Sequence, residues 1–195
     1  MKRFRFGKPF MAPAMPAMAM LFGMLLCCCQ MPPNGEISYA HVGPILDETN
    51  MFEWIGSMDY VFTGTVEKVN KKIIRGGDAP EEYYAVKVEE NLKGTLFTDS
   101  NIEVKKNGGY LKDGTLVLYA SDHVIGTGLC EVGEKYIFMG QGQRNGDLLL
   151  DALYGNVEYT DKLKTDYLQY IKNQIETELI YPWWERLPCR YDPAY

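Results

Sequence analysis

The chain has 195 residues, 20 Lys and Arg against 26 Asp and Glu, a net charge of −6, and 46% hydrophobic residues. That length suits one domain with a real core, and the hydrophobic content is not that of a disordered chain. The acidic balance argues against nucleic acid, whose affinity for protein rests on Lys and Arg meeting phosphates, and two histidines, His41 and His123, leave little for a histidine-built site.

Lys2, Arg3, Arg5 and Lys8 open the chain, and no acid precedes Glu36. Between them lies an apolar run from Ala17 to Cys29, too short to span about 30 Å of hydrocarbon comfortably. A basic start followed by a short apolar stretch predicts a secretory signal peptide over residues 1–26, and Pro13 and Pro16 make a buried helix the poorer reading. The mature chain is then an acidic, secreted, extracellular protein with no stable membrane insertion.

Leu46, Met51, Trp54 and Ile55 recur at roughly helical spacing, so a short helix is expected over Asp47 to Ile55, with Gly56 ending it at positive φ. Tyr60 to Val69 is β-branched and aromatic, with Gly64 as a bend or bulge. After a polar loop from Arg75 to Pro80, Tyr84, Val86 and Val88 alternate with Ala85, Lys87 and Glu89, which predicts a second strand with the first set on one face. Ile102 to Lys105, Leu116 to Ala120, Tyr136 to Met139 and Leu148 to Leu153 read as further short strands between Gly, Asn and Asp turns. Their spacing suits an antiparallel barrel or a sandwich.

Thr160 is placed to cap a helix, Asp161 favours its dipole, and Leu163, Tyr167, Tyr170, Ile171 and Ile175 form one apolar stripe. The aromatic, proline-bearing tail from Tyr181 to Tyr195 either docks through Trp183, Trp184 and a Cys189 disulfide or hangs as an extension. The domain proper is expected over 27–178, with 179–195 as tail.

Five cysteines, Cys27, Cys28, Cys29, Cys130 and Cys189, lie at the end of the apolar run or beyond it, where an oxidising compartment would let some pair. The odd count leaves at least one unpaired, intermolecular or lost with the leader. Three adjacent cysteines do not supply the spaced tetrahedral set of a zinc site, so no metal of the protein's own is expected. There is no phosphate-binding Gly-rich loop, no G-x-S-x-G elbow and no H-E-x-x-H helix, and an enzyme is not expected.

The order of these pieces resembles a known family. The run Cys27-Cys28-Cys29-Gln30-Met31-Pro32-Pro33 is followed by a helix, a strand containing Asp59-Tyr60-Val61-Phe62, and a strand ending Asn91-Leu92-Lys93-Gly94. Then come Gly128-Leu129-Cys130, the strand Gly133 to Gly142, a Gly146-Asp147-Leu148 turn and a helix. The order resembles the netrin-like module, most closely the N-terminal domain of the tissue inhibitors of metalloproteinases, from about Cys27 to Ile175.

The resemblance implies a mainly β fold: a five-stranded OB-type barrel with a short N-terminal helix and a C-terminal amphipathic helix. It implies a secreted inhibitor of secreted or membrane-bound zinc metalloproteases, needing no cofactor except the target's zinc. Cys27 would offer its α-amine and carbonyl to that zinc, Cys28 would enter the specificity pocket, and Cys29 and Gln30 would follow. Thr127 and Gly128 would touch the protease beside them, and Cys130 would hold Cys27 by a disulfide, with Cys29 and Cys189 as the other disulfide candidates. A netrin-like binding or adhesion module without inhibitory activity is the alternative from the same fold, and a lipoprotein anchored through one of the three adjacent cysteines is a further one.

Overall fold

The computed structural model describes residues 34–41, 46–47, 49–74, 79–98, 100–180 and 185–195. The leader, Cys27 to Gln30, most of the Arg75 to Pro80 loop, Trp183 and Trp184 lie outside the described residues. In chain order the elements are β1 (Ile37–His41), α1 (Met51–Ser57), β2 (Tyr60–Ile73), β3 (Glu81–Lys93), β4 (Asn101–Asn107) and β5 (Gly109–Tyr110), then β6 (Leu116–Ala120), β7 (Lys135–Gly142), β8 (Leu148–Leu150) and β9 (Asn156–Glu158), and finally α2 (Asp161–Lys172) and the single turn α3 (Thr177–Ile180).

The fold is mainly β and built on a closed five-stranded barrel. β2 pairs antiparallel with β3, β3 with β4, β4 runs parallel to β8, β8 pairs antiparallel with β7, and β7 returns antiparallel to β2. Closure removes the free sheet edges that an open sheet would expose. It also decides between the barrel and the sandwich left open by sequence, and the arrangement is consistent with an OB-type barrel. A smaller sheet of order β1-β6-β5 stands apart from it, with β1 parallel to β6.

Alternation explains where the core sits. From β2, Tyr60, Phe62 and Val66 point into the barrel with Tyr84, Val86 and Val88 from β3, Ile102 and Val104 from β4, and Phe138 from β7. The opposite parity, Val61 of β2 with Ile137 and Met139 of β7, faces outward against Trp54, Ile55, Leu153 and Tyr167. The start of β2, Tyr60 to Phe62, and β7 from Tyr136 to Met139 are thus apolar on both faces because α1 and α2 cover their outer side, which is why these stretches read as continuous hydrophobic runs. At Gly64 the β2–β3 register shifts as expected, and a Cβ there would fall 2.7 Å from the Lys87 carbonyl oxygen.

The helices test the capping arguments. Thr160 caps α2 by accepting from the Leu163 amide at 3.1 Å, and only Tyr167 of its apolar stripe is fully buried. α2 stops at Lys172, so Ile175 belongs to the following turn. α1 starts later than expected, capped by Asn50, and runs through Gly56 to Ser57. Gly56 is therefore not a positive-φ terminator. It lies where the turn after α2 crosses α1, and a Cβ would fall 1.8 Å from the Ile175 carbonyl oxygen.

Three strands escaped the sequence reading, β1, β5 and β9, and β8 ends at Leu150 rather than at Leu153. The tail docks. Cys189 is fully buried in the barrel core, its amide donating to the Tyr60 hydroxyl at 3.0 Å, while Tyr60 donates to Asp192 Oδ2 at 2.8 Å.

Candidate functional site

The segment joining β6 to β7 carries Thr127, Gly128 and Cys130, and the barrel end fixes it from several sides. The Gly126 amide donates to the Tyr119 carbonyl at 2.8 Å and the Thr127 amide to the Leu153 carbonyl at 2.7 Å. Gly126 is required by crowding, since a Cβ would lie 2.6 Å from the Tyr119 oxygen and 2.7 Å from that of Ala152. Thr127, Gly128 and Leu129 are half-buried, so the segment keeps part of its surface in solvent.

Beneath it lies a buried polar cluster. Lys106 follows Ile102 and Val104 on the inward parity of β4 and is 1% exposed. Its Nζ donates to Thr127 Oγ1 at 3.2 Å, Thr127 donates to Asn156 Oδ1 at 3.0 Å, and Asn156 Nδ2 donates to the Gly128 carbonyl at 3.1 Å. Cys130 packs alongside, 6% exposed, and Glu82 is 2% exposed with its Oε2 accepting from the Tyr84 hydroxyl at 2.6 Å and its Oε1 2.8 Å from Lys72 Nζ.

Burial dominates the electrostatics here. It pushes the Cys130 thiol up to about 12, against the pull of the Lys106 charge. The same desolvation lowers Lys106 below the ordinary lysine value and raises Asp151, whose Oδ1 accepts from the Leu153 and Tyr154 amides at 2.9 and 2.7 Å. A thiol held this far above neutrality is not a nucleophile. The cluster organises backbone; it does not assemble a base and nucleophile.

A second polar cluster joins the tail to the C-terminal end of α1. Arg186 donates to the Met58 carbonyl at 3.0 Å and to that of Gly56 at 2.7 Å, and lies 3.5 Å from Asp59 Oδ1. Lys93 Nζ donates to the Ile55 carbonyl at 2.6 Å, and its pKa is drawn down to about 8 by burial first and by Arg186 second. Cations at a helix C-terminus meet its unpaired carbonyls and the negative end of its dipole. A cleft of about 360 Å³ opens beside this cluster between Gln141, Arg144, Glu185 and Leu187.

Of the site residues expected from sequence, the structure brings Thr127, Gly128 and Cys130 together at one barrel end. Cys189 lies toward the other, against Tyr60 at the start of β2. Among the described residues Cys130 and Cys189 have no disulfide partner. Cys27, Cys28, Cys29 and Gln30 lie outside the described residues. Lys106 and Asn156 were not singled out by sequence, although a lysine two positions beyond Val104 on an inward parity was a readable signal.

Among the described residues no group of three or more His, Cys, Asp or Glu could hold a metal ion, and no helix is long and apolar enough to cross a membrane. No protein-family model matches the chain, and no curated protein matches it in sequence.

Proposed function

We propose that the chain is a secreted netrin-like module that inhibits zinc metalloendopeptidases without chemistry of its own. The observation that carries the reading is the closed five-stranded barrel with the Thr127–Cys130 segment fastened at one end, next to an unpaired Cys130. That thiol is the position from which a disulfide would hold Cys27. A catalytic zinc keeps one coordination position for water, and an α-amine with its neighbouring carbonyl displaces that water and stops turnover. A disulfide to a rigid barrel would reduce the ordering cost of presenting such a group.

The reading is tested on the protein secreted by a eukaryotic host. Intact mass and N-terminal sequencing are expected to give a chain beginning at Cys27, with Cys27 disulfide-bonded to Cys130. One alanine placed before Cys27 should abolish inhibition of a zinc endopeptidase cleaving a fluorogenic peptide while leaving the fold intact. Undiminished inhibition by the extended chain would refute the mechanism.

A second reading, a netrin-like binding module with no zinc-directed terminus, is favoured by the depth of Cys130, which at 6% exposure leaves an incoming cysteine little access to its sulfur. A mature chain that begins beyond Cys27, or that retains a free Cys130, selects it.

A further inference from the structure

Lys106 is an expensive residue where it stands. An inward position on a barrel strand suits an apolar side chain, and burying an amine whose one hydrogen bond among the described residues goes to a neutral hydroxyl costs stability that a methionine would not. The neighbouring acids do not offset it by contact, since Asp151 is engaged by the Leu153 and Tyr154 amides and Glu82 by Tyr84 and Lys72.

What the lysine does instead is give direction. Lys106 Nζ donates to the Thr127 hydroxyl, which passes its own proton on to Asn156 Oδ1. Asn156 must then turn its amide nitrogen to the Gly128 carbonyl. One buried donor thus sets the Thr127 rotor, the Asn156 amide orientation and the tilt of the Thr127–Gly128 peptide, in a segment that keeps part of its surface in solvent.

We infer that Lys106 is a positioning residue for the Thr127–Gly128 contact with a zinc endopeptidase, acting through Thr127 and Asn156 and touching no partner itself. That Thr127 and Gly128 meet a protein, and that it is a zinc endopeptidase, rests on the function proposed above; the ordering of the segment by Lys106 does not.

The experiment uses the full secreted chain and two readouts: amide hydrogen exchange, and inhibition of a zinc endopeptidase on a peptide substrate. Lys106→Met keeps the volume and removes the donor. Exchange at the Gly126 and Thr127 amides should rise by at least about tenfold, with the Phe62 and Val86 amides unchanged; a rise below about twofold overturns the inference. If Lys106→Met fails to fold, Thr127→Val and Thr127→Ser decide. Valine removes the hydroxyl and should loosen the segment, serine keeps it and should not, and equal behaviour of the two overturns the inference. Inhibition should weaken about tenfold in Lys106→Met; unchanged inhibition alongside loosened exchange overturns the link between this segment and the partner. If the wild-type protein inhibits no zinc endopeptidase, the proposed function fails while the exchange measurements still decide the positioning role.

Discussion

Arg186→Met isolates the interaction that fastens the tail. The guanidinium makes two hydrogen bonds to the carbonyls of Gly56 and Met58, a longer one to Thr177 Oγ1 at 3.3 Å, and the closest cationic approach to Asp59. The Asp59 side chain is 9% exposed, its Oδ2 accepts from the Gly142 amide at 3.0 Å, and its Oδ1 has no hydrogen bond among the described residues. Methionine keeps the stem and leaves that carboxylate buried without its ion-pair partner, which costs about 3 to 5 kcal/mol in a fully buried pair; with Arg186 31% exposed, the lower end, about 3 kcal/mol, applies. Burial already raises Asp59 above its ordinary 3.8, opposed by the Gly142 amide and then by Arg186. A raised folded-state value means that the stability contribution is complete below the unfolded value and is lost as pH climbs through the folded one. Removing Arg186 raises Asp59 further, so the deficit in urea denaturation should be large at about pH 7.5 and shrink toward about pH 4.5. Asp59→Asn in the same background should recover part of the loss, with a coupling of about 2 kcal/mol. A deficit that is independent of pH and additive with Asp59→Asn would refute the reasoning.

Gly56→Ala should reverse the usual sign: alanine favours an exposed helix interior by up to about 1 kcal/mol, but here a Cβ falls 1.8 Å from the Ile175 carbonyl oxygen, and a loss of roughly 1 to 3 kcal/mol is expected by thermal unfolding. Tyr60→Phe removes a hydroxyl that accepts from the Cys189 amide and donates to Asp192, and should cost about 1 to 3 kcal/mol, read as a lowered urea midpoint; no shift would mean that the tail does not dock through it. In the reduced protein, Cys130 should resist iodoacetamide while folded and react once unfolded. Its thiol, pushed from 9.0 up to about 12, contributes stability that is complete below 9.0 and lost as pH rises toward about 12. Rapid alkylation of native Cys130 at neutral pH would contradict its burial.

The parts of the fold legible in sequence were those whose burial follows a local period. β2 declared itself through its β-branched and aromatic residues, β3 through the recurrence of Tyr84, Val86 and Val88, and α2 because Thr160, Asp161 and the Tyr167 stripe agree. β1 did not, because Ile37, Ser38, Tyr39 and His41 are exposed and leave no parity to read. β5 and β9 have two and three residues, too few for any pattern. Gly56 was misread because a glycine after an apolar helical stretch is the same letter whether it caps the helix or admits a crossing backbone. The parallel β4–β8 pairing that closes the barrel has no local signature, since register and partner depend on chain far away. The site was legible only in outline: Thr127, Gly128 and Cys130 were picked out by resemblance, while the support from Lys106 of β4 and Asn156 of β9 depends on two distant strands being bridged by Thr127.

The two barrel ends differ in what a partner must displace. At the Tyr60 end the chain's own tail is seated backbone on backbone, with a Cβ at Gly142 falling 1.8 Å from the Leu187 carbonyl oxygen, and with Arg190 donating to the Gly146 and Asn145 carbonyls. A partner binding there has first to remove Cys189 from the core and break the Tyr60 and Arg186 bonds, and that opening free energy subtracts from its affinity. At the Cys130 end, the half-buried Thr127–Leu129 segment is already bonded into a fixed shape by Lys106 and Asn156, so contact with it would impose little further ordering. The lower ordering cost therefore lies with the Thr127–Leu129 segment, where the proposed function puts its contact, rather than with the tail cleft.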